Sequence, residues 1–338
     1  MRMPSDHPHA QRHATPKINR LRQQSEDSNV GSLKGRDFLS IDDFSLGEIK
    51  KLFALANDIK CCPHKYGERL KRKMFALIFE KPSLRTRTTF TVAIESLGGS
   101  CIDYPPGDIG LGKRESIYDV AKNLDRMVHG VMIRTFGQDV VTSFANFATI
   151  PVINGLTDFE HPCQAMADFF TILQQKQHIK NIKISYVGDG NNVAHSLLLM
   201  AGKWGATFFI ATPPDYAAES NVVTRARVLA EQTGGKIFVT TDPHEAVHNA
   251  DVVYTDTWTS MGQEAETIKR RTIFKPYQVN RNLFSMAKPD ALFMHCLPSH
   301  RGEEVTDEVI DSPNSVVFEE AENRLHIQKA ILIALLGD

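Results

Sequence analysis

Short, uninterrupted runs of apolar residues recur along this chain, and stretches with helical spacing separate them. Residues 74–79, 130–133 and 151–153 are three such runs in the first half of the chain. A strand whose side chains are all apolar is typical of a parallel sheet, because helices cover both faces of such a sheet. The alternation therefore predicts an α/β fold built on buried parallel sheets.

The apolar runs form two series, which predict two domains. The second series begins near Asn181, and its predicted strands are residues 182–187, 207–211, 236–239, 251–255 and 291–294. We therefore predict two doubly wound α/β domains, residues 34–175 and 176–320, each with a central parallel sheet flanked by helices and joined by interdomain helices. The closing segment, residues 321–338, carries an amphipathic helical pattern, and we expect it to pack back on the first domain.

Residues 1–33 differ from the rest of the chain. They contain Pro4, Pro8 and Pro16 and few large apolar side chains, so they cannot bury enough surface to offset the entropy of ordering. We predict a disordered extension. It lacks the apolar core of about 7 to 15 residues that a secretory signal needs, and its acidic residues argue against a transit peptide.

Composition limits the partners and the compartment. Lysine and arginine total 39 and aspartate and glutamate total 40, so the net charge of −1 does not favour a nucleic-acid partner. The longest stretch without charges, residues 140–157, is interrupted by polar residues, proline and glycine, so no membrane partner is predicted. The five cysteines are scattered and lack CxxC spacing, which favours a reducing cytoplasm without disulfides or structural zinc.

Ligands of open α/β sheets bind at the carboxyl ends of the strands, so the residues that follow each predicted strand are the candidates. Ser83, Leu84, Arg85 and Thr86 follow the strand at 74–79 and open a helix. Hydroxyl, guanidinium and free backbone N–H groups at a helix start suit a phosphate dianion. The alternative is a serine helix cap followed by a solvated basic turn.

Two further candidate groups follow in the first series. Arg134 stands at the end of a buried strand, where its charge needs either a ligand or a structural ion pair. His161 and Gln164 lie at a helix start and can turn their polar groups into one cleft, although a histidine there can equally be structural.

The second series carries candidates of its own. Gly188-Asp189-Gly190-Asn191-Asn192 joins a strand to a helix, but Val193 stands where a dinucleotide fingerprint needs its third glycine, so a nicotinamide cofactor is not favoured. Asp256, Ser260 and Met261 follow another buried strand. Cys296, within His295-Cys296-Leu297-Pro298, can be a nucleophile, a metal ligand or an inert buried thiol.

Taken together, these motifs are specific. SLRTR, HPCQ, GDGNN, DTWTSMGQE, HCLP and FEEAENR occur here in the order found in the ornithine carbamoyltransferases. From about Leu33 onward the chain resembles that branch of the aspartate/ornithine carbamoyltransferase superfamily. The HCLP and SMG elements resemble the ornithine enzymes, whereas an aspartate-specific enzyme is expected to lack them.

The resemblance implies a function and an assembly. It implies direct attack of the L-ornithine δ-amine on carbamoyl phosphate, giving L-citrulline and phosphate, a step of arginine biosynthesis, with no cofactor, metal or covalent intermediate. It also implies a homotrimer, or a multiple of trimers, with sites near the subunit interfaces. The alternatives are transfer to N-acetylornithine, putrescine or aspartate, a non-catalytic anion-binding protein on the same fold, and, more distantly, a dehydrogenase.

The resemblance also assigns roles to residues. For carbamoyl phosphate, it implies contacts from Ser83, Leu84, Arg85, Thr86, Arg134, His161, Gln164, Cys296, Leu297 and Arg324. For ornithine, it implies Asn192 and the Met261 backbone at the α-carboxylate, Asp256 and Ser260 at the α-ammonium, and Cys296 beside the δ-amine. The implied catalytic residues are Cys296, Arg134, His161 and Asp256.

The chain departs from the family pattern at two positions. Leu84 replaces the usual threonine, at a position that is expected to contribute its backbone. Gly110 stands where the family usually supplies a glutamine or histidine from a neighbouring subunit, so that contact is expected only if Lys113 or another loop residue replaces it.

Overall fold

The structure, a computed structural model, describes residues 33–260, 262 and 264–337. Residues 1–32 of the predicted extension and Met261 therefore lie outside the described residues. Leu33, the last residue of the predicted extension, is described, and its side chain is buried in the hydrophobic core.

A four-stranded parallel sheet occupies the first half of the chain. Its strands are β1 (Met74–Phe79), β2 (Ser100–Tyr104), β3 (Gly130–Arg134) and β4 (Val152–Leu156). The helices around it are α1 (Leu46–Cys61), α2 (Arg85–Ser96), α3 (Ile117–Leu124), α4 (Gln138–Phe147) and α5 (Pro162–Lys176). The spatial order β2-β1-β3-β4 places the switch in winding direction between β1 and β3.

A five-stranded parallel sheet occupies the second half. Its strands are β5 (Lys183–Val187), β6 (Thr207–Ala211), β7 (Lys236–Thr240), β8 (Val252–Thr255) and β9 (Leu292–Met294). The helices are α6 (Asn192–Trp204), α7 (Ser220–Thr233), α8 (Pro243–Val247), α9 (Thr267–Phe274), α10 (Arg281–Phe284) and α11 (Asp307–Ile310). The order β7-β6-β5-β8-β9 places the switch between β5 and β8. The two flanked parallel sheets confirm the predicted fold class.

The last helix, α12 (Val317–Leu336), contacts α1, α2 and α5. It begins four residues earlier than the predicted start at Ala321, because its first turn has no side-chain cap that the sequence could reveal. Its residues from Ile327 to Leu336 are buried, so this part of the helix is buried on all sides and has no exposed polar face. Arg324 thereby reaches the residues that follow β1.

Three elements of the first half were missed by the sequence analysis. Strand β2 lies at the sheet edge and is largely exposed, so it lacks the apolar run that marks a buried strand. Helices α3 and α4 bury only a few side chains each, so their apolar residues form patterns too short to indicate a helix. Within the described part of the chain, no helix is long and apolar enough to span a membrane.

Candidate active site

A cavity of about 980 Å³ opens between the carboxyl ends of the two sheets. Its lining comes from the loops after β1, β3, β4, β5, β6, β8 and β9 and includes residues of α5 and α12. The structure brings together there every predicted site residue that it describes, namely Ser83, Leu84, Arg85, Thr86, Arg134, His161, Gln164, Asn192, Asp256, Ser260, Cys296, Leu297 and Arg324. Each sheet contributes the loops at its switch in winding, where polar residues are free to face a ligand.

The loop after β1 forms one wall of the cavity and leads into α2. The backbone N–H of Thr86 donates to Ser83 Oγ at 3.1 Å, so the serine satisfies one of the free amides of the helix start. Leu84 occupies the cap position with its side chain 75% exposed, and it makes no side-chain capping bond. Partial burial lowers the pKa of Arg85. The remaining amides and Arg85 are available to an anion.

Two buried guanidinium groups converge on Thr86. Arg324 donates from Nη2 to Thr86 Oγ1 at 2.6 Å, and Arg134 approaches the same oxygen at 3.5 Å. Among the described residues, neither group pairs with a carboxylate, so the structural ion pair considered for Arg134 is not found. Burial, followed by repulsion from Arg324, lowers the pKa of Arg134 to about 10. Two cations held together without an anion favour an anionic ligand.

His161 and Gln164 lie at the start of α5, beside these guanidinium groups. Burial, and then the neighbouring Arg324 and Arg134, lower the pKa of His161 well below its usual value, so the ring is neutral. Its Nδ1 is buried and has no hydrogen-bond partner among the residues that the structure describes. Gln164 donates through Nε2 to Asp168 at 2.8 Å and Glu320 at 2.9 Å. Its Oε1 is buried and has no partner in the described part of the chain.

Asp256 anchors the opposite side of the cavity, directly after β8. Its carboxylate accepts from Asn191 Nδ2 at 2.7 Å and from the Cys296 thiol at 3.1 Å. Burial, with the nearby carboxylates of Asp256 and Glu320, raises the pKa of Cys296 well above its usual value. The sulfur is therefore a neutral thiol that donates to Asp256.

Asn192 and Ser260 complete the described part of this side. Asn192 donates to the carbonyl oxygen of Thr157 at 2.5 Å and accepts from the backbone N–H of Val193 at 3.0 Å. The hydrogen bond to Thr157 joins the second sheet's first helix to the loop that follows β4. Ser260 lines the cavity.

An ion pair that the sequence analysis missed joins the two loops of the second sheet. Arg270 donates from Nη1 to Asp189 at 2.9 Å and to the Trp258 carbonyl oxygen at 2.8 Å, with both charged side chains buried. Burial raises the pKa of Asp189 to about 6, against the opposing effect of Arg270. Asp189 belongs to the GDGNN motif, but Arg270 lies 81 positions away and carries no local signal.

A second missed pair flanks the loop after β1. The buried ammonium group of Lys81 pairs with Asp158 and lies 4.4 Å from the ring centroid of Phe136. All three residues line the cavity. The pair ties the loop after β1 to the loop after β4.

Asp256, His295 and Cys296 bring three potential metal-ligand atoms within 4.8 Å of one another. Both ring nitrogens of His295 already have protein partners, however. Nδ1 accepts from the backbone N–H of Leu297 at 2.9 Å, and Nε2 faces Glu304 at 3.2 Å. A ring held in this way orients the loop that carries Cys296, and the donor set does not fit a metal.

Gly110 adopts a φ of +62°, a left-handed conformation that a glutamine or histidine would occupy only under strain. Neither Gly110 nor Lys113 lines the cavity within the described chain. A contact from a neighbouring subunit therefore stays a prediction.

Four buried polar atoms beside the cavity have no partner within the described chain: Arg134 Nε, His161 Nδ1, Gln164 Oε1 and Arg324 Nε. Buried polar groups are rarely left unsatisfied without a functional reason. Together they suit a small anion that also bears an oxygen acceptor and an N–H donor.

Two family models match the chain and together cover most of it. The carbamoyl-P binding domain of aspartate/ornithine carbamoyltransferase matches residues 36–174. The Asp/Orn binding domain of the same family matches residues 180–335.

Individual relatives agree with these matches. A protein named ornithine carbamoyltransferase from Pyrococcus abyssi is 51% identical over 313 residues, which are 91% of this chain and 98% of the relative. A relative from Pyrococcus furiosus, named as the anabolic enzyme, is 50% identical over 313 residues, with the same coverage of 91% and 98%. The solved structure of ornithine carbamoyltransferase from Pyrococcus furiosus has a TM-score of 0.88 at 49% identity and covers 90% of this chain and 98% of that one.

Proposed function

The chain belongs to the aspartate/ornithine carbamoyltransferase family and is a carbamoyltransferase, and from this premise we propose that it carbamoylates L-ornithine. The products are L-citrulline and phosphate, and the anabolic name of one relative supports a place in arginine biosynthesis. The observation that carries the proposal is a set of buried polar atoms with no partner among the described residues. They lie beside the guanidinium groups of Arg134 and Arg324, opposite Asp256.

Carbamoyl phosphate binds through its phosphate at the start of α2. Ser83, Arg85, Thr86 and the Leu84 backbone hold that group, as the resemblance implies. The exposed side chain of Leu84 supports a backbone role for this residue. Phosphate is also the leaving group, so the same donors stabilise the charge that develops as the bond to the carbamoyl carbon breaks.

The carbamoyl oxygen accepts from Arg134 and His161, with Thr86 beside them. Attack on the carbamoyl carbon places negative charge on this oxygen. Fixed donors already directed at it stabilise the transition state more than the ground state. The neutral form of His161 supports donation by one ring nitrogen.

The carbamoyl amide faces acceptors on its other side. Gln164 accepts from it through the unpartnered Oε1, together with the carbonyl oxygens of Cys296 and Leu297. Arg324 reaches the same ligand from α12, and its unpartnered Nε supports that contact.

Ornithine binds on the side of the second sheet. Asn192 and the Met261 backbone hold the α-carboxylate, while Asp256 and Ser260 hold the α-ammonium. Cys296 lies beside the δ-amine, and its hydrogen bond to Asp256 supports a shared role at that end of the substrate.

The δ-amine must lose a proton before it attacks. An amine of this type has a pKa of about 10.4, so about one molecule in a thousand is the free base near pH 7.4. The raised pKa of Cys296 argues against a thiolate acceptor and favours the Asp256 carboxylate as the group that assists deprotonation.

The test supplies purified protein with carbamoyl phosphate and, separately, ornithine, N-acetylornithine, putrescine or aspartate, and measures carbamoylated product and released phosphate. We expect product with ornithine. Product with a different amine would retain the carbamoyl phosphate site and replace the assignment of Asn192, Asp256 and Ser260. No product from folded protein with any amine would favour the non-catalytic alternative.

We place the protein in the cytoplasm as a homotrimer or a multiple of trimers. The cysteines of the described chain form no disulfide bonds, which supports a reducing compartment. Val92 on α2 and Ile102 on β2 are exposed apolar side chains on two elements that contact each other. They support a subunit interface on this face of the first half of the chain. Light scattering after size-exclusion chromatography measures the assembly, and a monomer mass would contradict the trimer.

A further inference from the structure

Two carboxyl groups, Asp168 and Glu320, lie together behind Gln164. Both side chains are fully buried. Within the described chain neither forms an ion pair, and each is hydrogen-bonded to the other. Two buried carboxylates in contact repel each other, so such a pair retains one proton between its members. Burial and this mutual repulsion raise the pKa of Glu320 well above its usual value.

The donors around this pair fix its polarity. Gln164 gives one Nε2 hydrogen to Asp168 Oδ1 at 2.8 Å and the other to Glu320 Oε1 at 2.9 Å. The hydroxyl of Tyr254 lies 3.3 Å from Asp168 and 3.2 Å from Glu320. The backbone N–H of His295 donates to Glu320 Oε2 at 3.1 Å. Each of these described groups donates to the pair, and the amide of Gln164 presents its NH₂ to both carboxyls.

The opposite end of the same amide is then determined. Because both hydrogens of Nε2 are taken, Oε1 must point away from the carboxyls, and it is buried without a partner among the described residues. A ligand with an N–H group can donate to a buried carbonyl oxygen in that position and binds more tightly. A ligand with a methyl group leaves that oxygen without a hydrogen bond and binds more weakly.

We propose that Asp168 and Glu320 are positioning residues which, as a pair holding one proton, fix the Gln164 amide and so select carbamoyl phosphate over acyl phosphates without an N–H group. The proposal rests on the proposed function and deepens it. Acetyl phosphate carries the same phosphate and carbonyl oxygen but a methyl in place of the amide, so it is the matched probe.

Replacing Asp168 with alanine removes one of the two carboxyl groups that hold the Gln164 amide. For Asp168→Ala we expect the affinity for carbamoyl phosphate to fall about tenfold, because Gln164 loses one of its two fixed bonds. The dissociation constant of acetyl phosphate is expected to stay within about twofold, since that ligand does not use the amide contact. A merely structural role would weaken both ligands alike, and that outcome would overturn the proposal.

Asp168→Asn is the conservative control. Its amide supplies the hydrogen that the pair otherwise shares and keeps an oxygen for Gln164, so carbamoyl phosphate affinity is expected to remain within about threefold of the wild-type value. Affinity as low as that of Asp168→Ala would contradict a one-proton pair.

A pair of compensating substitutions at Gln164 and Asp168 keeps the inference testable if Asp168→Ala does not fold. Gln164→Glu places a third carboxyl group in the cluster, and we expect carbamoyl phosphate affinity to fall by about 100-fold. In the double variant Gln164→Glu, Asp168→Asn the new amide donates to the new carboxylate, and at least about tenfold is expected to return. Absence of any recovery would overturn the proposal.

All binding constants are measured by calorimetry without the second substrate, alongside thermal unfolding of each variant. Wild-type protein that binds carbamoyl phosphate but forms no citrulline would contradict the proposed function and leave this inference standing. Wild-type protein that makes citrulline, with Asp168→Ala unchanged in affinity for both ligands, would contradict this inference alone.

Discussion

The two sides of the cavity differ in how their polar groups are satisfied. On the side of the first sheet, Arg134, His161, Gln164 and Arg324 each keep a buried atom without a partner in the described chain. On the side of the second sheet, Asp256 already bonds to Asn191 and Cys296.

This difference determines which hydrogen bonds each substrate must form or exchange when it binds. A ligand on the first side fills bonds that are vacant in the protein, so binding there needs little rearrangement. A ligand on the second side must exchange existing bonds, such as that of Asn192 with the Thr157 carbonyl oxygen. The contrast predicts that carbamoyl phosphate binds before ornithine.

The largest expected effect is on turnover when an unpartnered donor is removed. For Arg134→Ala we expect kcat to fall about 10²- to 10³-fold, because the carbamoyl oxygen loses a fixed donor in the transition state. The free energy of unfolding, measured with urea, is expected not to fall, since the buried cation has no anionic partner among the described residues. Arg301→Ala, at an exposed ion pair, is the control and should retain wild-type kcat. Unchanged turnover in Arg134→Ala would remove this residue from the site.

The next effect belongs to the second side of the cavity. For Asp256→Asn we expect kcat/KM for ornithine to fall about 100-fold, because the substrate ammonium loses its counter-charge and the δ-amine its proton acceptor. The dissociation constant of carbamoyl phosphate, measured by calorimetry, should stay within about twofold, since the two sides act separately. Asp290→Asn, at an exposed carboxylate, is the control. An equal loss for both substrates would break the distinction between the two sides.

The pH dependence of turnover tests the same distinction. With carbamoyl phosphate saturating, ornithine well below its KM and chemistry rate-limiting, we expect kcat/KM for ornithine to rise about tenfold per pH unit from pH 6 to 8, because the free-base fraction of the amine in solution rises below its pKa of about 10.4. The pKa of His161 is lowered well below its usual value, so the ring stays neutral and adds no change over this range. A flat profile would contradict the requirement for amine deprotonation.

The smallest expected effect is on coupling between the sides. In the proposed complex Cys296 contacts both ligands, so bound carbamoyl phosphate should order the wall that ornithine contacts. Calorimetric titration with L-norvaline, which lacks the δ-amine, should give at least about fivefold tighter binding when carbamoyl phosphate is present. Equal affinity in both conditions would mean that the two sides bind independently.

The sequence predicted the fold and the cavity lining well where one local signal sufficed. Polar residues directly after buried strands, such as Arg134 and Asp256, can be read from neighbouring letters, because parallel strands end at one edge of a sheet. The edge strand β2 could not be read so, since exposure removes its apolar run.

Other features depend on partners that only the folded chain brings together. Asp168 lies one helical turn after Gln164 and looks like a core position, and its importance comes from Glu320, 152 positions further along. Arg270 likewise becomes part of the cavity wall through its ion pair with Asp189. Pairings of this kind have no period or spacing in the sequence, so pattern reasoning cannot find them.

The hydrogen bond between Arg324 and Thr86 joins residues 238 positions apart. Contacts across so long a loop form slowly, because the chain must first lose the entropy of closing it. Each sheet can therefore assemble before the cavity is complete. During refolding from denaturant, the helical circular-dichroism signal should return first and enzyme activity later, so activity reports the last step of folding and not the first.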